Sequence, residues 1–195
     1  MHHKFRPDGL EKNWYWVRED IKHWSLTECP NWLRIITQYG SIYKQEKNNQ
    51  PNILLTRSHD NLFEISTHMK FIPHCNFHAA GLIAYQDDDN YVLMERAFSS
   101  FAVGDGLFLD LEWKGEVRSL CRGISGSSVK LKLISTKQDV IGYYGIKKNE
   151  WIEVGRMKNP GLNFNGVGLF ATNGGMNPNA PEIPADFEFF EYKQL

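Results

Sequence analysis

"FHAAGLIAYQDDDNYVLMER", residues 77–96, sets an apolar run against three aspartates and then resumes as an aromatic-rich run. Two readings compete for Asp87, Asp88 and Asp89: a carboxylate cluster built for chemistry, or the turn of a hairpin. A calcium loop of EF-hand type needs a glycine at its sixth position and a distant bidentate glutamate. "DDDNYV" supplies neither. Asp and Asn favour tight turns because their side chains bond the local backbone and tolerate left-handed geometry. The flanking runs "GLIAYQ" and "NYVLMER" have strand length and strand composition. The stretch therefore reads as a β-hairpin with the aspartates at its tip. A calcium ion held by Asp88 with distant oxygens such as Asp186 is the remaining metal reading.

Working outward, the same period-two pattern repeats. "SVKLKLI" puts Val129, Leu131 and Leu133 on one face and Lys130 and Lys132 on the other. "LFEISTHM" sets Phe63, Ile65 and Thr67 against Glu64, Ser66 and His68, and "NWLRIITQ" sets Leu33, Ile35 and Thr37 against Trp32, Arg34 and Ile36. Further short runs include "NILLT", "GLFLDLEW", "EVRSL", "DVIGYYG", "EWIEVG", "GVGLFAT" and "DFEFFEY". "EKNNQPN", "ISGSS", "KKNE", "MKNPGLN" and "NGGMNPNAPEIP" separate them as turns and loops. "WVREDIKHWSL" comes nearest to a helix and is short and heavily charged. A dozen or so strands without a fixed repeat predict an antiparallel sandwich or barrel in one domain, residues 1–195.

The chain has 195 residues with a net charge of −1, 42% hydrophobic residues and six tryptophans. That is long enough to bury a core without staples. The balanced charge points to neither nucleic acid nor an anionic membrane as a partner. Cys29, Cys75 and Cys121 are widely spaced and form no C-x-x-C pair, so neither a zinc site nor a disulfide framework is expected. "MHHKFRPDGLEKNWYW" lacks the apolar core of a signal peptide. The expectation is a soluble, cytoplasmic protein.

Enzymatic signatures are incomplete. Glycoside hydrolysis uses two carboxyl groups flanking the scissile bond. "FLDLEW" places Asp110 and Glu112 on one strand face, but Phe108 stands where a third acid would complete an acid-rich strand of the laminarinase type. Both read as the solvated outer face of a strand, with Glu95 and His78 as further candidates should the chain be an enzyme. Asp186 and Glu188 in "DFEFFEY" share a face and read as solvated or structural. No G-x-S-x-G elbow occurs, and His68, His74 and His78 match no known zinc spacing. What remains is an aromatic and polar strand surface. A sugar ring stacks its apolar face on an aromatic side chain and needs hydrogen-bond partners for its hydroxyls. Tyr91, Tyr143, Tyr144 and Trp151 are the candidate platforms, with His78, Glu95 and Arg96 as polar partners. Trp14 and Trp16 read as core.

Four stretches together resemble a known family. "WSLTECPNWLRIIT" (24–37), "FHAAGLIAYQDDDNYVLMER", "GYYGIKKNEWIEVGR" (142–156) and "PADFEFFEY" (184–192) are similar to the C-terminal concanavalin A-like domain of family 43 β-xylosidases. The matches fall in the same order and cover most of the chain. The resemblance implies an all-β, two-sheet antiparallel β-sandwich of jelly-roll type with one concave sheet. In that family the domain packs beside a catalytic five-bladed propeller, which carries the catalytic acids. The resemblance therefore implies no hydrolase activity in this chain. Asn31-Trp32 replaces the usual Gly-Tyr, Cys29 replaces Arg and His78 replaces Gln. If that Gln lines the concave face, His78 does so here.

The function expected from these observations is non-catalytic, lectin-like carbohydrate binding. An oligosaccharide or polysaccharide is the partner, and no cofactor is needed beyond a structural calcium. The alternatives are a glycoside hydrolase or lyase on the same fold, and an accessory subunit that binds protein. A copy standing alone would expose the surface the family buries, or cover it as a homodimer.

Overall fold

A computed structural model describes residues 2–45, 48–58, 60–147 and 150–195. Parts of the predicted "EKNNQPN" loop and "KKNE" turn, residues 46–47 and 148–149, lie outside the described residues. The strands are β1 (His2–Lys4), β2 (Trp14–Val17), β3 (Trp24–Ser25), β4 (Leu33–Ile36), β5 (Ile53–Arg57), β6 (Phe63–Lys70), β7 (Ala79–Asp87) and β8 (Asn90–Ser99). They continue with β9 (Gly104–Trp113), β10 (Glu116–Gly123), β11 (Ser128–Ser135), β12 (Asp139–Lys147), β13 (Glu150–Lys158), β14 (Gly166–Thr172) and β15 (Pro184–Gln194). "WVREDIKHWSL" forms no α-helix: only Ile21–His23 makes a 3₁₀ turn, between β2 and β3.

The strands pair antiparallel in two sheets. One, of eight strands, runs β13-β12-β11-β6-β15-β4-β3, with β1 paired to β15; the other, of seven, runs β10-β9-β8-β7-β14-β5-β2. This is the expected concanavalin A-like sandwich. Consecutive hairpins build one end of each sheet. Long returns bring β14 beside β7 and β15 beside β6.

Alternation decides which side chains meet between the sheets. Phe63, Ile65, Leu131, Leu133 and Phe187 from the eight-stranded sheet pack on Leu82, Val92, Met94, Leu109 and Leu169 from the seven-stranded sheet, all fully buried. Trp14 and Trp16 close one end of this core. Trp14 lies edge-on to Phe190 at 5.1 Å and Trp16 lies 5.0 Å from Trp24.

The opening hairpin forms as read. Asp87 pairs with Asn90, and its Oδ1 accepts from the Asp89 N–H at 2.9 Å and from Asn90 Nδ2 at 2.7 Å. Asp88 faces the Arg18 guanidinium in a two-pronged pair at 2.8 Å and accepts the Tyr85 hydroxyl at 2.7 Å. The next turn, Lys114-Gly115, has both residues at positive φ (54° and 79°), the two-residue connection that suits twisted hairpins.

Candidate functional site

The seven-stranded sheet carries a second apolar cluster on its outer face. Ile53, Leu55, Ile83, Tyr91, Leu93, Phe108 and Phe170 are buried there, although they point away from the sandwich core. A hollow of about 250 Å³ opens above Tyr91, Leu93, Phe108 and Phe170. Its floor is β8, β9 and β14, and its walls are the 40–43 segment and the loop around Gly174–Met176.

One tyrosine and three carboxyl groups converge on this floor. Register places Tyr91 opposite Glu112, Leu93 opposite Asp110 and Glu95 opposite Phe108. Tyr91, Glu95, Asp110 and Glu112 therefore share one face, with Glu95 and Asp110 as diagonal neighbours. Tyr91, 2% exposed, donates its hydroxyl to Glu112 Oε2 at 2.7 Å. The same oxygen accepts the Lys44 N–H at 3.0 Å, which ties the wall segment to the floor. Glu112 Oε1, Glu95 Oε2 and Asp110 Oδ1 are buried without a partner of good geometry.

Burial dominates the protonation of this group. It raises the Glu95 carboxyl well above the usual carboxylate range, and the neighbouring Asp110 charge adds to the effect. It pushes Asp110 up to about 6 against a hydrogen bond from Ser119. Glu112 also rises through burial, opposed by the Lys44 N–H and the Tyr91 hydroxyl. The floor therefore holds proton donors and acceptors side by side near neutral pH.

The solvated reading of Asp110 and Glu112 is corrected here: Glu112 is 1% exposed and Asp110 is half-buried, because the outer face of this sheet is itself covered. Among the sugar-site candidates, Tyr91 and Glu95 lie together in the hollow. Arg96 points to the other face of β8, where it is 1% exposed and forks onto Asp105 at 2.8 and 2.5 Å. Tyr143 and Trp151 stand on β12 and β13 of the opposite sheet, and Tyr144 packs against the sandwich core. His78 is fully buried in the turn before β7; its neighbours Phe77 and Ala79 line the hollow and it does not. Burial and the nearby His74 push the His78 ring below its ordinary value. The two calcium candidates are engaged by arginines, Asp88 as above and Asp186 by Arg34 at 2.7 and 2.8 Å.

The family model of the beta xylosidase C-terminal concanavalin A-like domain matches residues 2–193. In structure the chain is similar to the GH43 protein BlXynB from Bacillus licheniformis, with a TM-score of 0.87 and 22% identity over 100% of this chain and 39% of that one. It is similar to a xylan beta-1,4-xylosidase from Bacillus halodurans, with a TM-score of 0.82 and 21% identity over 99% of this chain and 39% of that one. A functionally unknown protein from Saccharomyces cerevisiae gives a TM-score of 0.70 and 12% identity over 94% of this chain and 97% of that one. The chain thus spans 39% of the length of the two GH43 proteins, and at these identities the likeness is one of fold. No curated protein matches the chain.

Proposed function

Because the chain belongs to the family of β-xylosidase C-terminal concanavalin A-like domains, we propose that it is a carbohydrate-binding module whose hollow on the seven-stranded sheet takes a single pentose or the end of a xylo-oligosaccharide. One observation carries this reading. Three buried carboxyl oxygens, on Glu95, Asp110 and Glu112, lack partners on the floor of a largely apolar hollow. Buried acceptors without donors cost about 1–3 kcal/mol each, and sugar hydroxyls are the donors such a floor would recruit. Phe108, Phe170 and Leu93 supply apolar surface for a ring. Sites for drug-sized ligands run to roughly 300–1,000 Å³, so about 250 Å³ suits one ring. Binding of this kind needs no cofactor.

Isothermal titration with xylose, arabinose and xylo-oligosaccharides tests the proposal. Saturable binding that weakens about tenfold or more in Glu112→Gln is expected, since charge-assisted hydrogen bonds contribute about 1.5–3 kcal/mol. No heat at millimolar concentration of any of these sugars would remove the proposal. A hydrolase on the same floor is the second reading, favoured by the raised Glu95 carboxyl beside the lower-lying Asp110. Release of p-nitrophenol from aryl xylosides, lost in Glu95→Gln, would replace binding by catalysis.

A further inference from the structure

Outside the hollow, one group of side chains has a composition suited to a transition metal. The chain makes a tight turn over Cys75–His78, with the His78 N–H donating to the Cys75 carbonyl at 3.1 Å. Phe77 takes φ 71°, a left-handed conformation uncommon for a bulky residue. The turn brings Cys75 and His78 to the same side, and His74 joins them with its ring 5.0 Å from that of His78 and nearly perpendicular to it. One ligand atom from each of His74, Cys75 and His78 lies within 4.8 Å of the other two.

Each imidazole is arranged as a ligand would be. His74 Nδ1 lies 3.3 Å from the Ile72 carbonyl, an acceptor that holds the proton on Nδ1 and leaves Nε2 with its lone pair. His78 is fully buried, yet neither ring nitrogen makes a well-formed hydrogen bond. The Pro181 backbone, which offers only a carbonyl, lies beside that ring. A backbone carbonyl behind one nitrogen is the usual support for a histidine whose other nitrogen binds metal. A buried ring whose second nitrogen has no partner carries a desolvation cost that a bound cation would offset.

We propose that His74, Cys75 and His78 form a zinc site at the entrance to β7, with three protein ligands and a fourth position open to solvent. One thiolate with two imidazoles is a borderline-soft set that suits Zn²⁺ over Mg²⁺ or Ca²⁺. Zinc–ligand bonds of about 2.0–2.3 Å require the three atoms to close by roughly an ångström. The exposed His74 side chain can make that movement by rotating. Binding releases the Cys75 thiol proton to solvent, so affinity rises with pH. H-C-x-x-H matches no familiar zinc spacing; it is the left-handed turn at Phe77 that gathers the ligands. The site does not depend on sugar binding.

The test is titration of the intact chain with Co²⁺ as a spectroscopic probe, followed by displacement with Zn²⁺. One equivalent should give a thiolate-to-cobalt charge-transfer band in the near ultraviolet and the strong visible bands of a four-coordinate ion. Zn²⁺ should abolish both. Cys75→Ser should remove the charge-transfer band, and Cys29→Ser or Cys121→Ser should leave it. His78→Ala risks the fold, so the exposed ligand gives the cleaner second variant: His74→Ala should weaken Zn²⁺ binding about tenfold or more with the metal-free melting temperature unchanged. A wild-type spectrum without a thiolate band would overturn the proposal. So would a band that survives Cys75→Ser, or metal binding that is lost in a His2→Ala, His3→Ala variant and kept in Cys75→Ser.

Discussion

The outer faces of the two sheets obey the same alternation and end in opposite chemical states. On the eight-stranded sheet many outward side chains are charged and reach solvent in part. Lys132 lies 4.2 Å from the Trp151 ring and 3.2 Å from Glu64, His68 meets Glu188 at 2.5 Å, and Lys70 lies 4.2 Å from the Trp32 ring. On the central strands of the seven-stranded sheet, β5, β8, β9 and β14, most outward side chains are apolar and covered, and Glu95 and Glu112 among them are buried; the edge strand β10 stays exposed. A strand pattern tells which residues share a face; whether that face meets water depends on segments elsewhere in the chain. Here those segments are the 40–43 stretch and the 174–176 loop.

The largest test of the contrast is steric. A Cβ on Gly168 would fall inside the Leu54 carbonyl oxygen, a backbone atom of the adjoining strand that cannot step aside. A Cβ on Gly145, in the eight-stranded sheet, would meet the Lys130 Cβ at 3.1 Å, a tight contact that a shift of a few tenths of an ångström relieves. Gly168→Val should cost more than about 3 kcal/mol as overpacking, whereas Gly145→Ala should stay within about 0.5 kcal/mol. Urea unfolding measures both, and similar costs would break the contrast.

Protonation gives the next effect, with opposite signs on the two sheets. Asp110 is raised to about 6 by burial, so between its unfolded value near 3.8 and about pH 6 the folded chain holds a proton that the unfolded chain releases. Stability should fall as pH rises through this window, by at most about 3 kcal/mol. Glu95, also raised, extends the fall upward. Asp139 on β12 is held low by Lys158 and then Arg156, so its contribution is present above its unfolded value and is lost as pH falls. Denaturation curves across this range should show the downward slope, and Asp110→Asn should flatten it. A slope unchanged in that variant would place the buried proton elsewhere.

A smaller effect compares two tyrosines. Tyr91→Phe removes a hydroxyl donated to a buried carboxylate and should cost about 2 kcal/mol. Tyr143→Phe, on the opposite sheet, should change stability by less than about 0.5 kcal/mol. Chemical denaturation of the pair reads both, and a Tyr91→Phe loss no larger than that of Tyr143→Phe would mean that water already serves Glu112.

Much of this arrangement was legible from the sequence. The alternation in "SVKLKLI" and "LFEISTHM" predicted the buried sets of β11 and β6, and "QDDDN" marked the β7–β8 hairpin. "FLDLEW" correctly grouped Asp110 with Glu112 but not their burial, because the cover comes from residues about 70 positions earlier and 60 later. A usable signal was present nonetheless. "GLIAYQ" and "GVGLFAT" are apolar at nearly every position, and "NYVLMER" has an unbroken run of four apolar residues, the composition of strands covered on both faces. The candidate aromatics divide between the sheets for a related reason: Tyr91 and Tyr143 both look like strand tyrosines, and only the pairing of β8 with β9 and of β11 with β12 separates them onto different sheets.

The smallest expected effect sharpens the wet side of the comparison. Lys132 sits over the Trp151 ring at 4.2 Å and pairs with Glu64 at 3.2 Å, and its side chain remains 15% exposed. Exposed cation–π contacts contribute about 0.5–1 kcal/mol, and exposed ion pairs about 0.2–1 kcal/mol. A double-mutant cycle with Lys132→Met and Trp151→Leu should therefore give a coupling of about 0.5 kcal/mol, little changed by salt because the ring carries no net charge. The parallel cycle with Lys132→Met and Glu64→Gln should give a similar coupling that shrinks as salt screens it. A coupling above about 2 kcal/mol in either cycle would mean that this face is also shielded from water, and the distinction between the two sheets would then rest on composition alone.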